Sequence, residues 1–173
     1  MRKTRYYDSF HLLLSFMLLL FWLSLIYSMS AKTGNESAGL SYRITKTVYE
    51  LPAVSHCFSF DTLHLLVRKL AHFTEYGILS LFVMNFLNSC RRVLNDRNGN
   101  KRKDQNRKTA GYFAVFDILF CGIYASLDEY HQSFVDGRGP SVKDVGIDLA
   151  GAFVFLIILG FGSRLWSKHV DKK

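Results

Sequence analysis

The sequence predicts an all-α membrane protein, a four-helix transmembrane bundle formed by a single domain over residues 1–173. The first observation is that 49% of the residues are hydrophobic and that they are concentrated in a few long runs. A run of about twenty such residues crosses a hydrocarbon core of ~30 Å as an α-helix. The second observation is that basic residues gather beside these runs. The predicted spans cover residues 10–29, 69–87, 111–130 and 145–162.

Charge places both termini in the cytoplasm. The connection over residues 88–110 is a predicted loop with eight basic and two acidic residues, and both termini are also basic. Four spans put the termini and this loop on one side of the membrane, and an excess of Lys and Arg marks the cytoplasmic side. The net charge of +8 therefore reflects membrane topology, and the pattern argues against nucleic acid as a partner.

The first span begins after the basic stretch MRKTR, which also resembles the start of a signal peptide. Its apolar run is longer than a typical signal sequence, which favours a retained helix. A polar connection over residues 30–66 follows, and Pro52 interrupts any helix there. From Ser41 to Leu51 the pattern is amphipathic, with Ile44 and Val48 on the face of Leu51. This pattern predicts a short interfacial helix in the first extracytoplasmic loop.

The three cysteines are far apart in the sequence. Cys57, Cys90 and Cys121 form no CxxC pair, so they indicate neither a disulfide framework nor a zinc ribbon. Cys121 falls inside the third span, where we expect it to act as a small apolar filler.

The ionisable residues of the spans gather at the outward ends of the helices. Such residues are costly at membrane depth and are functional-site candidates by default. Since the spans alternate in direction, we expect all but one to lie on the extracytoplasmic side of the membrane. The exception is Asp117, for which we expect a hydrogen bond between packed helices. The outward group contains His72, Glu75, Asp128, Glu129, His131, Arg138, Asp144 and Asp148.

The densest polar stretch is DEYHQSFVDGRGPSVKDVGID, residues 128–148. On a helix, Asp128 shares a face with His131 and Gln132. Ser141 and Asp144 have the spacing of a capping box, with Asp in place of Glu, so their pairing is either structural or functional. Arg138 lies between two glycines, where it either clamps a phosphate or carboxylate or neutralises the acids of the fold.

Three chemistries fit this polar group. A divalent metal is one, with His72, His131 and Asp128 as candidate ligands, although no HExxH-like spacing is present. General acid and base catalysis is the second, and a charge network that locks the helices together is the third. The candidate catalytic residues are His72, Glu75, Asp128, Glu129 and His131; neither a cofactor nor a reaction follows from them.

Three blocks of the sequence resemble the VanZ-like family of small bacterial membrane proteins. They are SLIYSMSAKTGNESAGLS at 24–41, VRKLAHFTEYGILSLF at 67–82 and DEYHQSFVDGRGPSVKDVGIDLAGA at 128–152. The chain departs from the family pattern at Asp136, where proline is common, and in its very basic 88–110 segment. The matching positions are Lys69, His72, Glu75, Tyr76, Asp128, Glu129, His131, Gln132, Arg138, Asp144 and Asp148.

The resemblance implies a role in the cell envelope. The founding member of the family is associated with low-level resistance to the glycopeptide teicoplanin. One hypothesis is a non-enzymatic protein that binds a lipid-linked cell-wall intermediate or a lipoglycopeptide, with membrane lipids as further partners. The expected ligand-binding residues are Lys69, Gln132, Arg138, Asp144 and Asp148. The second hypothesis is a membrane-embedded enzyme, metal-dependent or not, that acts on a lipid headgroup or cell-wall intermediate; a transporter ranks third, because the charges lie at one face.

Overall fold

The computed structural model describes residues 2–98 and 103–170, and side chains within 6–95 and 109–163. Within these ranges the chain is helical, with short connections and no strand. The described residues form four long helices, with two shorter helices between the first and the second of them. They are α1 (Arg2–Ser30), α2 (Gly34–Tyr49), α3 (Pro52–Cys57), α4 (Phe60–Asn98), α5 (Lys103–Gln132) and α6 (Val142–Val170).

Four helices are long and apolar enough to cross a membrane, as predicted. The qualifying segments are Tyr6–Ser30, Phe60–Asn95, Thr109–Gln132 and Val142–Ser163. Many large apolar side chains on them are exposed, including Phe21, Leu119 and Phe161. A soluble monomer rarely exposes this much apolar surface, whereas a bundle that faces lipid does so by necessity.

The structure differs from the predicted loop over residues 88–110. The fourth helix continues to Asn98, and α5 begins at Lys103, so most of the segment is helical. Lys and Arg are good helix formers, and a search for apolar runs alone does not detect a helix that leaves the hydrocarbon. The fourth helix also begins at Phe60, well before the predicted span at residue 69.

The helix between the first two spans, α2, is longer than the interfacial helix predicted over residues 41–51. Its N-terminus is a capping box, in which Thr33 Oγ1 accepts from the Glu36 N–H (3.3 Å) and the Glu36 carboxylate accepts from the Thr33 N–H (2.9 Å). The face towards α4 is polar, since Ser41 Oγ lies 2.8 Å from His64 Nε2. Pro52 starts α3, a position where its missing N–H costs little.

The core lies around α4, which packs on α1, α5 and α6. Its buried apolar residues include Ile26, Tyr76, Leu79 and Cys121. The fourth and sixth helices make the most extensive contact, and their backbones approach closely where Gly151 lies against Phe73. A glycine at a helix crossing permits this separation because it has no side chain.

Asp117 makes the predicted hydrogen bond between packed helices. It is fully buried, and Ser80 Oγ on α4 donates to its Oδ2 at 2.5 Å. Cys121 lies one turn away on α5 and is fully buried too. The bond links α4 to α5 away from the outward polar group, so Asp117 is not part of the candidate site.

Candidate functional site

The C-terminal ends of α1 and α5 meet the N-terminal ends of α4 and α6 at one end of the bundle. Long-range contacts between polar side chains establish this. One joins α4 to α6 through Lys69 and Asp144, and another joins the α5–α6 connection to α1 through Arg138 and the Met29 carbonyl. Antiparallel neighbours bring residues that are distant in sequence to the same depth, which is why the four segments form one polar end.

Two acid–base pairs hold α4 against α6. Lys69 forms a hydrogen-bonded ion pair with Asp144. One turn further along each helix, His72 Nδ1 lies 3.4 Å from Asp148 Oδ1. The Asp148 side chain is 0% exposed, and a carboxylate at such a depth is retained in proteins when a partner compensates its charge. His72 lies at ion-pair distance from it, although His72 Nδ1 and both Asp148 oxygens form no hydrogen bond of full geometry among the described residues.

At the start of α6, the two hydrogen bonds of the predicted capping box involve two different acidic residues. Ser141 caps the helix, since its Oγ accepts from the Asp144 N–H at 3.3 Å. The reciprocal bond is made by another residue, because the Ser141 N–H donates to Glu129 Oε2 at 2.6 Å. Asp144 is thereby left to pair with Lys69. This geometry gives Glu129 a structural role, joining the end of α5 to the start of α6.

Arg138 projects from the connection between α5 and α6 over the end of α1. Gly137 precedes it with φ of 74°, a conformation that only glycine adopts readily. The guanidinium donates from Nη2 to the Met29 carbonyl at 3.1 Å, and its Nε is buried without a partner among the described residues. Burial lowers the pKa of Arg138 from its ordinary value; the nearby charge of Arg68 lowers it further, whereas Asp128, Glu129 and Glu75 oppose the shift.

A cavity of about 290 Å³ lies beneath Arg138. Its floor and walls come from α1, α2, α4 and the end of α5. The apolar part includes Trp22, Leu25, Ile26, Leu40, Ile44 and Ile78. The polar part includes Ser30, Arg68, His72, Glu75, Asp128, Gln132 and Arg138. A concave site with apolar walls and a few convergent polar groups is the usual form of a small-ligand pocket.

Hydrogen bonds from neighbouring residues fix the positions of the acidic residues of the cavity. The Trp22 indole donates to the backbone carbonyl of Glu75 at 3.0 Å, which fixes that turn of α4 against α1. Asp128 accepts from Gln132 Nε2 at 3.1 Å, as their predicted common face requires. Ser30 Oγ, which is buried in the same cavity, acts on the Asp128 carboxylate as a donor, at a geometry short of a full hydrogen bond. Arg138 Nε has no partner in the described part of the chain, so the cavity contains polar atoms that the fold leaves incompletely satisfied.

His131 lies apart from the cavity. Its ring packs on Tyr27 with centroids 4.8 Å apart, and it does not line the cavity with Asp128 and Gln132. Within residues 6–95 and 109–163, no group of three or more His, Cys, Asp or Glu side chains could hold a metal ion. The structure therefore does not assemble His72, His131 and Asp128 into the metal site considered from the sequence.

Sequence reasoning missed three contributors to the cavity. Arg68 directly precedes Lys69. Two adjacent basic residues at the end of a span are easily interpreted as a topology signal and not as part of a site. Ser30 ends an apolar run and carries no charge. The third contributor is α2, which supplies Ser37, Leu40 and Ser41 to the wall; its capping box was the available signal.

Comparison with known proteins places the chain in a family. The family model described as VanZ/LLP1 matches residues 14–162, a range that includes every charged and polar residue named above for the cavity. No curated protein and no solved structure matches the chain. The match covers most of the sequence and agrees with the three blocks noted above. The chain therefore belongs to the VanZ/LLP1 family of membrane proteins.

Proposed function

We propose that this protein binds a lipid-linked or amphiphilic ligand in the cavity, at the extracytoplasmic side of the bacterial cytoplasmic membrane. The single observation that carries the proposal is the composition of the cavity, which combines charged groups with apolar walls at one end of a transmembrane bundle. Charged groups at that depth match a polar headgroup, and the apolar walls match the chain attached to it.

The openings of the cavity support an amphiphile rather than a small hydrophilic solute. Leu40 and Ile44 line the cavity from α2, and both are about half exposed. Because this apolar wall is open to the surroundings, the acyl chain of an amphiphile can pass from the cavity to the lipid. The ligand then needs no passage across the membrane, so the protein acts as a receptor in one leaflet.

The outward orientation is tested with a native cysteine. Cys57 in α3 is exposed, and Cys121 is buried in the bundle. A membrane-impermeant maleimide added to right-side-out vesicles is expected to label the wild type and not Cys57→Ser, because an exposed thiol is reactive only where the reagent reaches it. Labelling of Cys57 that requires opened vesicles would place the cavity on the cytoplasmic side and contradict the proposal.

We further propose that the protein contributes to low-level resistance to teicoplanin or related lipoglycopeptides. These antibiotics are amphiphiles that act at the outer leaflet, where a receptor for them or for their lipid-linked target lowers the amount of productive complex. The family membership supports this role.

The test is a susceptibility measurement in a teicoplanin-sensitive host that expresses the wild type, Arg138→Gln or Arg43→Gln. Arg138 lines the cavity, whereas Arg43 is exposed on α2 outside it. We expect the protection given by the wild type to be lost in Arg138→Gln and kept in Arg43→Gln. Equal protection by all three proteins would refute a role for the cavity.

An enzyme acting on a lipid headgroup is the second candidate function. The observation that favours it is His72, which lines the cavity and lies against the buried carboxylate of Asp148. A carboxylate that orients an imidazole is a common arrangement for general base catalysis. A deletion strain with an altered lipid profile, restored by the wild type and not by His72→Gln, would support this candidate. An unaltered lipid profile would remove it.

A further inference from the structure

We infer that the cavity selects a zwitterionic headgroup, with a phosphate bound between Arg68 and Arg138 and a primary ammonium group bound between Glu75 and Asp128. The inference rests on the proposed function, because it names the headgroup of the ligand held in the same cavity. An aminophospholipid of the ethanolamine type has this chemistry.

The basic half of the cavity lacks an anion within the fold. Arg68 and Arg138 both line the cavity, and their positive charges are close enough to oppose each other. Arg138 uses Nη2 on the Met29 carbonyl, and its Nε is buried with no partner among the described groups. No hydrogen bond or ion pair joins Arg68 to another residue of the described chain. A phosphate accepts from two guanidinium groups at once and removes their mutual repulsion.

The acidic half lacks a cation in the same way. Glu75 and Asp128 line the cavity, and their charges interact unfavourably. Asp128 accepts one hydrogen bond from Gln132, and no described side chain donates to the Glu75 carboxylate. Arg138 is near enough for its charge to reach both acids, but it donates its hydrogen bond to the Met29 carbonyl on α1. An ammonium group has three donors and no acceptor, so it satisfies two carboxylates and a hydroxyl together.

The hydroxyl is supplied by Ser30. Its side chain is only 3% exposed, and it lines the cavity. Its Oγ lies close enough to the Asp128 carboxylate to act on it as a donor, at a geometry short of a full hydrogen bond among the described residues. A hydroxyl that donates to a carboxylate keeps its lone pairs free to accept. Ser30 and Asp128 therefore offer two adjacent acceptors to one ammonium group.

Alternative ligands fit one half only. A divalent cation needs several oxygen ligands, and the described residues contain no group of three acidic, histidine or cysteine side chains able to hold one. A purely anionic lipid leaves two carboxylates unpaired next to its phosphate. The volume of about 290 Å³ accommodates a compact headgroup, and the acyl chains then leave past Leu40 and Ile44.

The experiment compares headgroups on one purified protein. Wild type in detergent is equilibrated with equal amounts of phosphatidylethanolamine, phosphatidylglycerol and phosphatidylcholine of the same chains, and the retained lipid is counted by native mass spectrometry. We expect phosphatidylethanolamine to be retained at least about tenfold over both competitors, since one charged hydrogen bond is worth about that factor. Phosphatidylcholine is the matched control, because its methylated nitrogen keeps the charge and lacks the N–H donors.

Variants separate this inference from the proposed function. Glu75→Gln is expected to lose the ethanolamine preference while still retaining phosphatidylglycerol, and Arg68→Gln is expected to weaken retention of all three lipids. Glu50→Gln, on the exposed end of α2, is the control. Lipid retention by the wild type without ethanolamine preference would overturn the inference and leave the proposed function standing. No lipid retained above the level of Arg138→Gln would overturn both.

Discussion

Replacing Gly151 with alanine is expected to destabilise the bundle by about 2–3 kcal/mol, the upper part of the range for overpacked cores. A Cβ at this position meets the carbonyl oxygen of Phe73 at 2.0 Å and its carbonyl carbon at 2.8 Å. Both atoms belong to the α4 backbone, so no side-chain rotation relieves the clash and the helices must separate. Separation of α4 from α6 also weakens the pairs that Lys69 and His72 form with acidic residues of α6.

The measurement is the midpoint of thermal unfolding in detergent, followed through tryptophan fluorescence. Gly146→Ala is the matched control, because it is the same substitution on the same helix and its Cβ meets nothing within 4 Å. We expect the control to unfold at or above the wild-type temperature, since alanine favours a helix over glycine. Equal midpoints for Gly151→Ala and Gly146→Ala would show that α4 and α6 do not approach at Gly151.

Replacing Gly34 with alanine is expected to detach the N-terminus of α2 from the connection that carries Arg138. The added Cβ meets the carbonyl oxygen of Gly137 at 2.1 Å. The Gly34 N–H also donates to the carbonyl of Asp136 at 2.9 Å, and this bond is broken by any shift that relieves the clash. We expect a destabilisation of about 1–3 kcal/mol and a loss of ligand binding, because α2 forms one wall of the cavity.

Gly39→Ala provides the comparison for Gly34→Ala. Gly39 lies on the same helix, and an added Cβ there has nothing within 4 Å. Thermal unfolding and lipid retention are measured on both variants. Normal lipid retention by Gly34→Ala would contradict the structural argument that the contact between α2 and the Arg138 connection shapes the cavity.

The helices of the bundle were predictable from the sequence because their signals are local. A run of about twenty apolar residues needs no tertiary information to be recognised as a span. The convergence of His72 with Asp148 followed too, since alternating spans fix which ends share a depth. The hydrogen bond between Asp117 and Ser80 was predicted in kind, although its partner was not.

Other features depended on competition between partners, which the sequence does not resolve. Asp144 has the spacing to cap α6 with Ser141, yet Lys69 takes its carboxylate and Glu129 takes its place in the cap. His131 directly precedes Gln132 on α5, but the rotation of about 100° per helical residue turns its ring towards Tyr27 on α1 instead of the cavity. These choices depend on which neighbouring helix is closest, and one sequence does not contain that distance.

The cavity itself was beyond sequence reasoning for the same reason. The sequence indicated a polar end and named most of its charges, but a cavity is defined by where side chains are absent. Part of its apolar wall comes from α2, whose amphipathic pattern predicted a helix at the interface without predicting which helix it packs against. Ser30 on α1 and Arg68 on α4 line the same cavity only because these two helices pack together, and the sequence does not specify that packing.

The measurement that tests the central claim most directly is a count of co-purified lipid on the wild type, Arg138→Gln and Arg43→Gln by native mass spectrometry in one detergent. The account predicts that the wild type and Arg43→Gln carry one tightly held amphiphile, and that Arg138→Gln, folded with an unchanged unfolding midpoint, carries none. The same lipid at the same occupancy on all three proteins would contradict the claim that the cavity beneath Arg138 is the binding site.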